Sequence, residues 1–150
     1  MNQKFIIPAH GRMLNLNQVP DDMFKQRLLG DGFALELLSG ELVAPMDGVI
    51  TALFPTGHAI GLLLNDSIEI LIHIGIDTIK LKNKPIEILI ELNQKVKQSQ
   101  LLVKVDLDKF KDGNILPIVP IIFTRNTLFS VKRNINEVQC GEENIIEVFE

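Results

Sequence analysis

Isoleucine falls at every second position from Ile68 through Ile70, Ile72 and Ile74 to Ile76. Period two belongs to a strand with one buried face; a helix would scatter these side chains around its axis. Upstream, Ala59-Ile60-Gly61-Leu62-Leu63-Leu64 is apolar and Asn65-Asp66-Ser67 reads as a turn, so one β-hairpin is expected from His58 to Asp77. With Asn65-Asp66 as a two-residue loop, Leu64 pairs with Ser67 and His58 stands opposite His73. Their Cβ atoms would then lie about 4.5–5.5 Å apart on one side of the sheet. In that register Ala59, Gly61 and Leu63 join the isoleucines on the core face. The other face carries His58, Ile60, Leu62, Glu69, Leu71, His73 and Asp77, the mixture of apolar and polar groups that suits a docking surface.

The rest of the chain is consistent with a β protein. Short strand-like runs, punctuated by Gly, Pro, Asn or Asp, occur at Lys4-Ile7, Gly32-Leu38, Glu41-Pro45, Val49-Phe54, Gln100-Val105, Ile118-Thr124 and Asn144-Phe149. This spacing predicts an all-β antiparallel sandwich or barrel in a single domain, residues 1–150. Helical turns are expected only at Asp21-Leu29, Pro85-Leu92 and Asp106-Asp112, the last capped by Asp106 or Asp108. There is also an internal echo. Pro8-Ala9-His10-Gly11 resembles Pro45-Met46-Asp47-Gly48, and Val96-Lys97-Gln98-Ser99-Gln100-Leu101-Leu102 resembles Val138-Gln139-Cys140-Gly141 followed by Asn144-Ile145-Ile146, a pattern that either duplicated β motifs or turn chemistry alone would produce.

Composition limits the function. At 46% hydrophobic and 23% charged the chain is expected to have a globular core, and with no Trp or Tyr aliphatic residues supply most of it. The net charge of −4 and scattered basic residues leave no footprint for nucleic acid. No apolar run reaches membrane-spanning length, Met1-Asn2-Gln3-Lys4-Phe5 begins no signal peptide, and the single Cys140 excludes an intrachain disulfide, so a cytoplasmic protein without direct membrane insertion is expected. Cys140 reads as a surface thiol, and Lys80, Lys82 and Lys84 as a solvated turn.

Two imidazoles held close together suit a phosphoryl or a metal site. One ring nitrogen can attack phosphorus while the second imidazole binds the phosphoryl oxygens. The nitrogen that does not react needs a fixed partner to select the tautomer; the Thr56 hydroxyl and a backbone carbonyl near Gly75 are the candidates. Zinc would take two ligands from His58 and His73 and needs more, so the chain is expected to hold no metal of its own and to bind zinc only with a partner's ligand. No Walker A or Gly-x-Gly-x-x-Gly pattern is present, so a phosphoryl group would come from another protein and not from ATP.

Thr56-Gly57-His58-Ala59-Ile60 and His73-Ile74-Gly75-Ile76-Asp77-Thr78 resemble the enzyme IIA component, glucose class, of the bacterial phosphoenolpyruvate-dependent sugar phosphotransferase system. Supporting matches run nearly the length of the chain in order: Val19-Pro20-Asp21, Gly30-Asp31-Gly32-Phe33-Ala34, Val43-Ala44-Pro45-Met46-Asp47-Gly48 and Pro117-Ile118-Val119-Pro120-Ile121. The resemblance implies a β-sandwich of the duplicated hybrid-motif type and a phosphotransferase component. On this chain it implies that His73 accepts phosphoryl from the phosphocarrier HPr and passes it to a cysteine on the IIB domain of a sugar permease. It makes His58 the residue that stabilises and transfers the phosphoryl group and Thr56 the residue that orients His58. It puts Asp31, Phe33, Phe54, Ile60, Leu71 and Asp77 at the partner-binding surface, the aspartates meeting partner arginines. A phosphorylation-dependent regulator using the same histidine face is the alternative.

The chain departs from that family at several points. Leu81-Lys82-Asn83-Lys84-Pro85 replaces a glycine-rich turn; Asn93 and Ser99 replace glycines, Asn93 tolerating positive φ; Arg125 interrupts a Ser/Thr-Asn pair; and His10 replaces an apolar residue. The longer N-terminal arm that some relatives place at the membrane is missing, so no anchor is expected, and the ends suit a stand-alone chain. Two other functions fit less well. Biotinyl and lipoyl carriers need Met-Lys-Met or Asp-Lys-Ala, and lysostaphin-type peptidases need His-x-His; none occurs here.

Overall fold

A computed structural model describes residues 3–77 and 81–149. Its strands are β1 (Gly11–Leu14), β2 (Asp31–Leu37), β3 (Glu41–Val43), β4 (Gly48–Leu53), β5 (Ala59–Leu64), β6 (Ile68–His73), β7 (Ile86–Ile88), β8 (Lys95–Val96), β9 (Leu101–Val105), β10 (Ile118–Phe123), β11 (Leu128–Val131), β12 (Glu137–Val138) and β13 (Ile146–Phe149). Among the described residues helix is limited to a 3-10 turn at Leu16–Gln18, α1 (Asp22–Lys25) and α2 (Leu107–Asp112). One antiparallel sheet runs β12-β1-β2-β10-β6-β5-β4-β8; a second, β3-β9-β7, and a pair, β11-β13, complete the fold. The expected all-β antiparallel architecture with a few helical turns is what forms.

The central hairpin forms with a register one residue different from the expected one. Asn65 and Asp66 both have positive φ (50° and 60°), and Ser67 N–H donates to Leu64 O at 3.1 Å. Ser67 stays out of the ladder, however, so Leu64 pairs with Ile68 and Ala59 with His73. A one-residue shift exchanges the faces of a strand. Ile60, Leu62 and Leu64, each fully buried, therefore join Ile68, Ile70, Ile72 and Ile74 in the core, while Glu69, Leu71 and His73 share the opposite face of β6.

Other expectations are corrected by tertiary contacts. Ile86-Glu87-Ile88, expected within a helix, forms β7 against β9, with Ile86 inward and Glu87 outward. Lys4-Ile7 forms no ladder, because Ile6 N–H goes to Pro45 O and Ile7 N–H to Glu142 O, on two different segments. The helix expected over 21–29 stops after Lys25, and Arg27 adopts a left-handed backbone (φ 54°). In α2, Asp106 is the N-cap as expected, accepting from Asp108 N–H and Lys109 N–H. Strand β1 and the edge strands β8, β11 and β12 are not among the expected strand-like runs.

The echo in the sequence corresponds to a repeated structure. Gly48 pairs with Val96 and Gly11 with Val138, then Val49 with Lys95 and Arg12 with Glu137. Ser99 N–H donates to Ala44 O and Ala44 N–H to Gln100 O; in the other copy Gly141 N–H donates to Ile7 O and Ile7 N–H to Glu142 O. The two turns are alike, with φ of 72° at Ser99 and 91° at Gly141, and each is closed by a Gln100 or Glu142 side-chain oxygen accepting from the N–H three residues earlier. Asn93, replacing a glycine, also takes positive φ (69°).

Two apolar clusters lie on opposite faces of the large sheet. The main core includes Phe33, Leu35, Ile60, Leu62, Ile70, Ile72 and Ile121, covered by Leu42, Val103 and Val105 of the smaller sheet. A satellite of Leu16, Val19, Phe24, Ala34, Ile76, Ile118 and Ile122, with Leu71 packed against it, lies on the other face beneath α1. His73, on the Leu71 face of β6, stands at the rim of this satellite. Of the departing residues, Arg125 pairs with Glu69 at 3.4 Å and His10 with Glu137 at 2.9 Å.

Candidate functional site

His73 is the last residue of β6, half-buried, with its backbone fixed by the ladder to Ala59. The chain then turns: Gly75 (φ 78°) sends its N–H to Ile118 O at 2.9 Å, which aims its own carbonyl back at the histidine. His73 Nδ1 lies 2.8 Å from Gly75 O. A carbonyl only accepts, so Nδ1 carries the proton and the lone pair resides on Nε2.

His58 lies one residue before β5, outside the ladder, and its direction is set by the turn from Phe54 to Gly57. Gly57 N–H donates to Phe54 O at 2.8 Å, and Ile74 N–H donates to His58 O at 2.7 Å. Gly57 has φ 75°, and a Cβ there would meet Ile88 Cγ1 at 2.8 Å, so the turn is seated directly on β7. Thr56 Oγ1 hydrogen-bonds His58 Nδ1. The two imidazoles meet edge to face, centroids 5.6 Å apart. The rings therefore come together as expected, although His58 is not the residue paired with His73.

Burial lowers the pKa of both histidines from the ordinary 6.5. At His73 the other influences are smaller: the Gly75 carbonyl raises it, the nearby His58 lowers it, and Asp21 raises it. The result is a pair of neutral imidazoles, one with a fixed nucleophilic nitrogen and one with an orienting hydroxyl partner, which is what attack on a phosphoryl group requires.

The surrounding residues divide into several groups. Phe54 is 46% exposed and its ring lies 5.2 Å from that of His58. Leu71 is half-buried against the satellite cluster. Phe33 and Ile60 were expected at the partner surface; they are 1% and 0% exposed, on the core face of β2 and β5, because side chains alternate along each strand. Asp31 is exposed and accepts from Arg27 Nε, four residues earlier, at 3.3 Å, and from Gly32 N–H at 2.8 Å. Asp77 is exposed with φ 61°. Thr78 and Lys80 lie outside the described residues. The alternation gave no sign of Phe24, whose ring packs 5.2 Å from His73, nor of Asp21, because α1 is remote in sequence from the hairpin. Among the described residues no group of three or more His, Cys, Asp and Glu is placed to hold a metal ion, and no helix is long and apolar enough to cross a membrane.

Residues 3–129 match the family described as phosphoenolpyruvate-dependent sugar phosphotransferase system, EIIA 1. The chain is 44% identical over 78% of its length to a PTS system glucose-specific EIICBA component of Staphylococcus carnosus, covering 17% of that protein. It is 42% identical over 84% of its length to a glucosamine-specific EIICBA component of Bacillus subtilis, covering 20% of it. The chain thus spans about a fifth of the curated relatives it matches. The solved glucose permease IIA from Mycoplasma capricolum superposes with a TM-score of 0.84 at 36% identity, over 99% of this chain and 95% of that one.

Proposed function

The chain belongs to the EIIA 1 family of the phosphoenolpyruvate-dependent sugar phosphotransferase system and is a phosphotransferase component, and on that footing we propose that His73 is its phosphoryl-carrying residue. The observation that carries this is the 2.8 Å contact of His73 Nδ1 with Gly75 O, which leaves Nε2 as the nucleophile. In the accepting step the Nε2 lone pair forms a bond to phosphorus and the bond from phosphorus to the donor nitrogen breaks, its electron pair returning to the donor. The Nδ1 proton stays in place, and the Gly75 carbonyl stabilises the positive charge that the ring acquires. His58, its Nδ1 engaged by Thr56, offers Nε2–H to the phosphoryl oxygens as charge redistributes. In the second step a thiolate attacks phosphorus and Nε2 leaves with its electron pair.

The donor in this reading is the phosphocarrier HPr and the acceptor a cysteine of a IIB domain, in the cytoplasm. Support for the acceptor comes from the relatives, EIICBA components in which a IIA part is joined to IIB and IIC parts. Their names differ in sugar, glucose in one and glucosamine in the other, so the sugar is assigned to the rest of the machinery. Incubation with phosphoenolpyruvate, enzyme I and HPr should add one acid-labile phosphate, located on His73 by mass spectrometry at neutral pH. His73→Ala should take none. Phosphate on another residue, or undiminished labelling of the variant, would overturn the reading.

A further inference from the structure

Four rings stand in a row across the site. Phe24, His73, His58 and Phe54 follow one another with centroid separations of 5.2, 5.6 and 5.2 Å and interplanar angles of 60°, 72° and 67°, each contact edge to face. The ends of the row differ. Phe54 is 46% exposed and Phe24 only 2%. Phe24 is thus a wall and not part of a docking surface.

The local structure places that wall deliberately. α1 is only Asp22–Lys25, its N-cap Asp21 accepting from Met23 N–H at 2.9 Å and its backbone accepting from Phe24 N–H at 3.1 Å. Met23 faces solvent at 45% exposure while Phe24 turns in among Val19, Ile76, Ile118 and Ile122. Ile76 and Ile118 belong to the segments that position Gly75, so through these two residues the ring contact and the carbonyl that holds Nδ1 share their support.

We propose that Phe24 is a positioning residue for phosphoryl transfer, its buried ring walling the inner side of the His73 imidazole so that Nδ1 stays on the Gly75 carbonyl and Nε2 stays aimed outward. The inference rests on the reading that His73 carries phosphate. A single hydrogen bond fixes the tautomer but lets an imidazole rock about its Cβ–Cγ bond; a ring edge against it removes that freedom. The same wall keeps water from the imidazole, in line with the burial that holds its pKa down, where the other titratable groups whose fields reach it are His58 and Asp21.

The test is Phe24→Leu, which keeps the site apolar, read by nitrogen NMR of His73 in the full chain and by transfer kinetics with phosphorylated HPr. The expected result is a titration midpoint moved up toward the ordinary histidine value, ring nitrogens shifting toward a mixture of tautomers, and a kcat about tenfold lower at unchanged KM. Val19→Ala, in the same cluster, should lower thermal stability and leave the His73 titration in place. Unchanged ring nitrogens and kcat in Phe24→Leu, or an equal shift in Val19→Ala, would overturn the proposal. A wild-type chain phosphorylated elsewhere would instead overturn the carrier reading, while the NMR titration still decides what Phe24 does to the ring.

Discussion

Ile74 donates its amide hydrogen to the carbonyl of His58 over 2.7 Å. The bond lies one step beyond the last ladder pair, Ala59 with His73. It closes the open end of the hairpin and ties the residue just before β5 to the residue just after β6. Two rings that the ladder does not pair are thereby brought to 5.6 Å, with His58 free to take its direction from the turn and from Thr56.

His58 is expected to serve the onward step. His58→Gln keeps a hydrogen-bond donor near His73 but loses the ring. It should still take phosphate from HPr and fail to pass it to a IIB cysteine. Rapid-quench measurement of the two half-reactions separates them, and normal onward transfer would remove His58 from that role.

Thr56 is expected to matter only through His58. Thr56→Val removes one neutral hydrogen bond, of about 1 kcal/mol, so transfer should fall by up to about tenfold. Thr56→Ser should restore it. Because Thr56 is exposed, neither change should move the melting temperature, which calorimetry on the two variants checks.

Stability should fall on acidification below the ordinary histidine pKa of 6.5. Burial lowers the pKa of His58 and His73 in the folded chain, so just below pH 6.5 the unfolded chain binds protons that the folded chain does not. Unfolding then takes up protons, and stability rises with pH through that window. Melting temperature measured from pH 5 to 7 should climb, and His73→Gln should flatten the climb; an unchanged slope would contradict the burial argument.

The hairpin register can be measured through stability. Ile60→Ala empties a fully buried site and should cost about 2–5 kcal/mol in urea denaturation. Leu63→Ala, on the opposite face and only half-buried, should cost much less. The reverse order would restore the register in which Leu64 pairs with Ser67.

Asn93 has φ 69° in a position where the family resemblance implies glycine. Asn93→Ala should destabilise by about 1–2 kcal/mol, the cost of a left-handed backbone for an ordinary side chain, and Asn93→Gly should be close to neutral. Thermal melts of the two variants decide it.

Much of the site was legible because its parts are local. The alternation from Ile68 to Ile76 gave a strand; Thr56 and Gly75 each lie two residues from the histidine they bind, within reach on any nearby backbone. Phe33 and Ile60 were misplaced because a motif reports which residues accompany a site, not which side of the sheet they occupy. Phe24 was missed because nothing in residues 21–25 indicates that a four-residue helix will lie over the end of β6.

By itself, then, the sequence determined the β class, the hairpin, the two histidines and their hydrogen-bond partners, since side-chain alternation and short turns follow from the covalent chain. Only the tertiary structure decided the register, the satellite cluster beneath α1 and the row of four rings. Those depend on how Ser67 leaves the ladder and on which distant segments cover each face of the sheet, and both are fixed by packing between residues far apart in the chain.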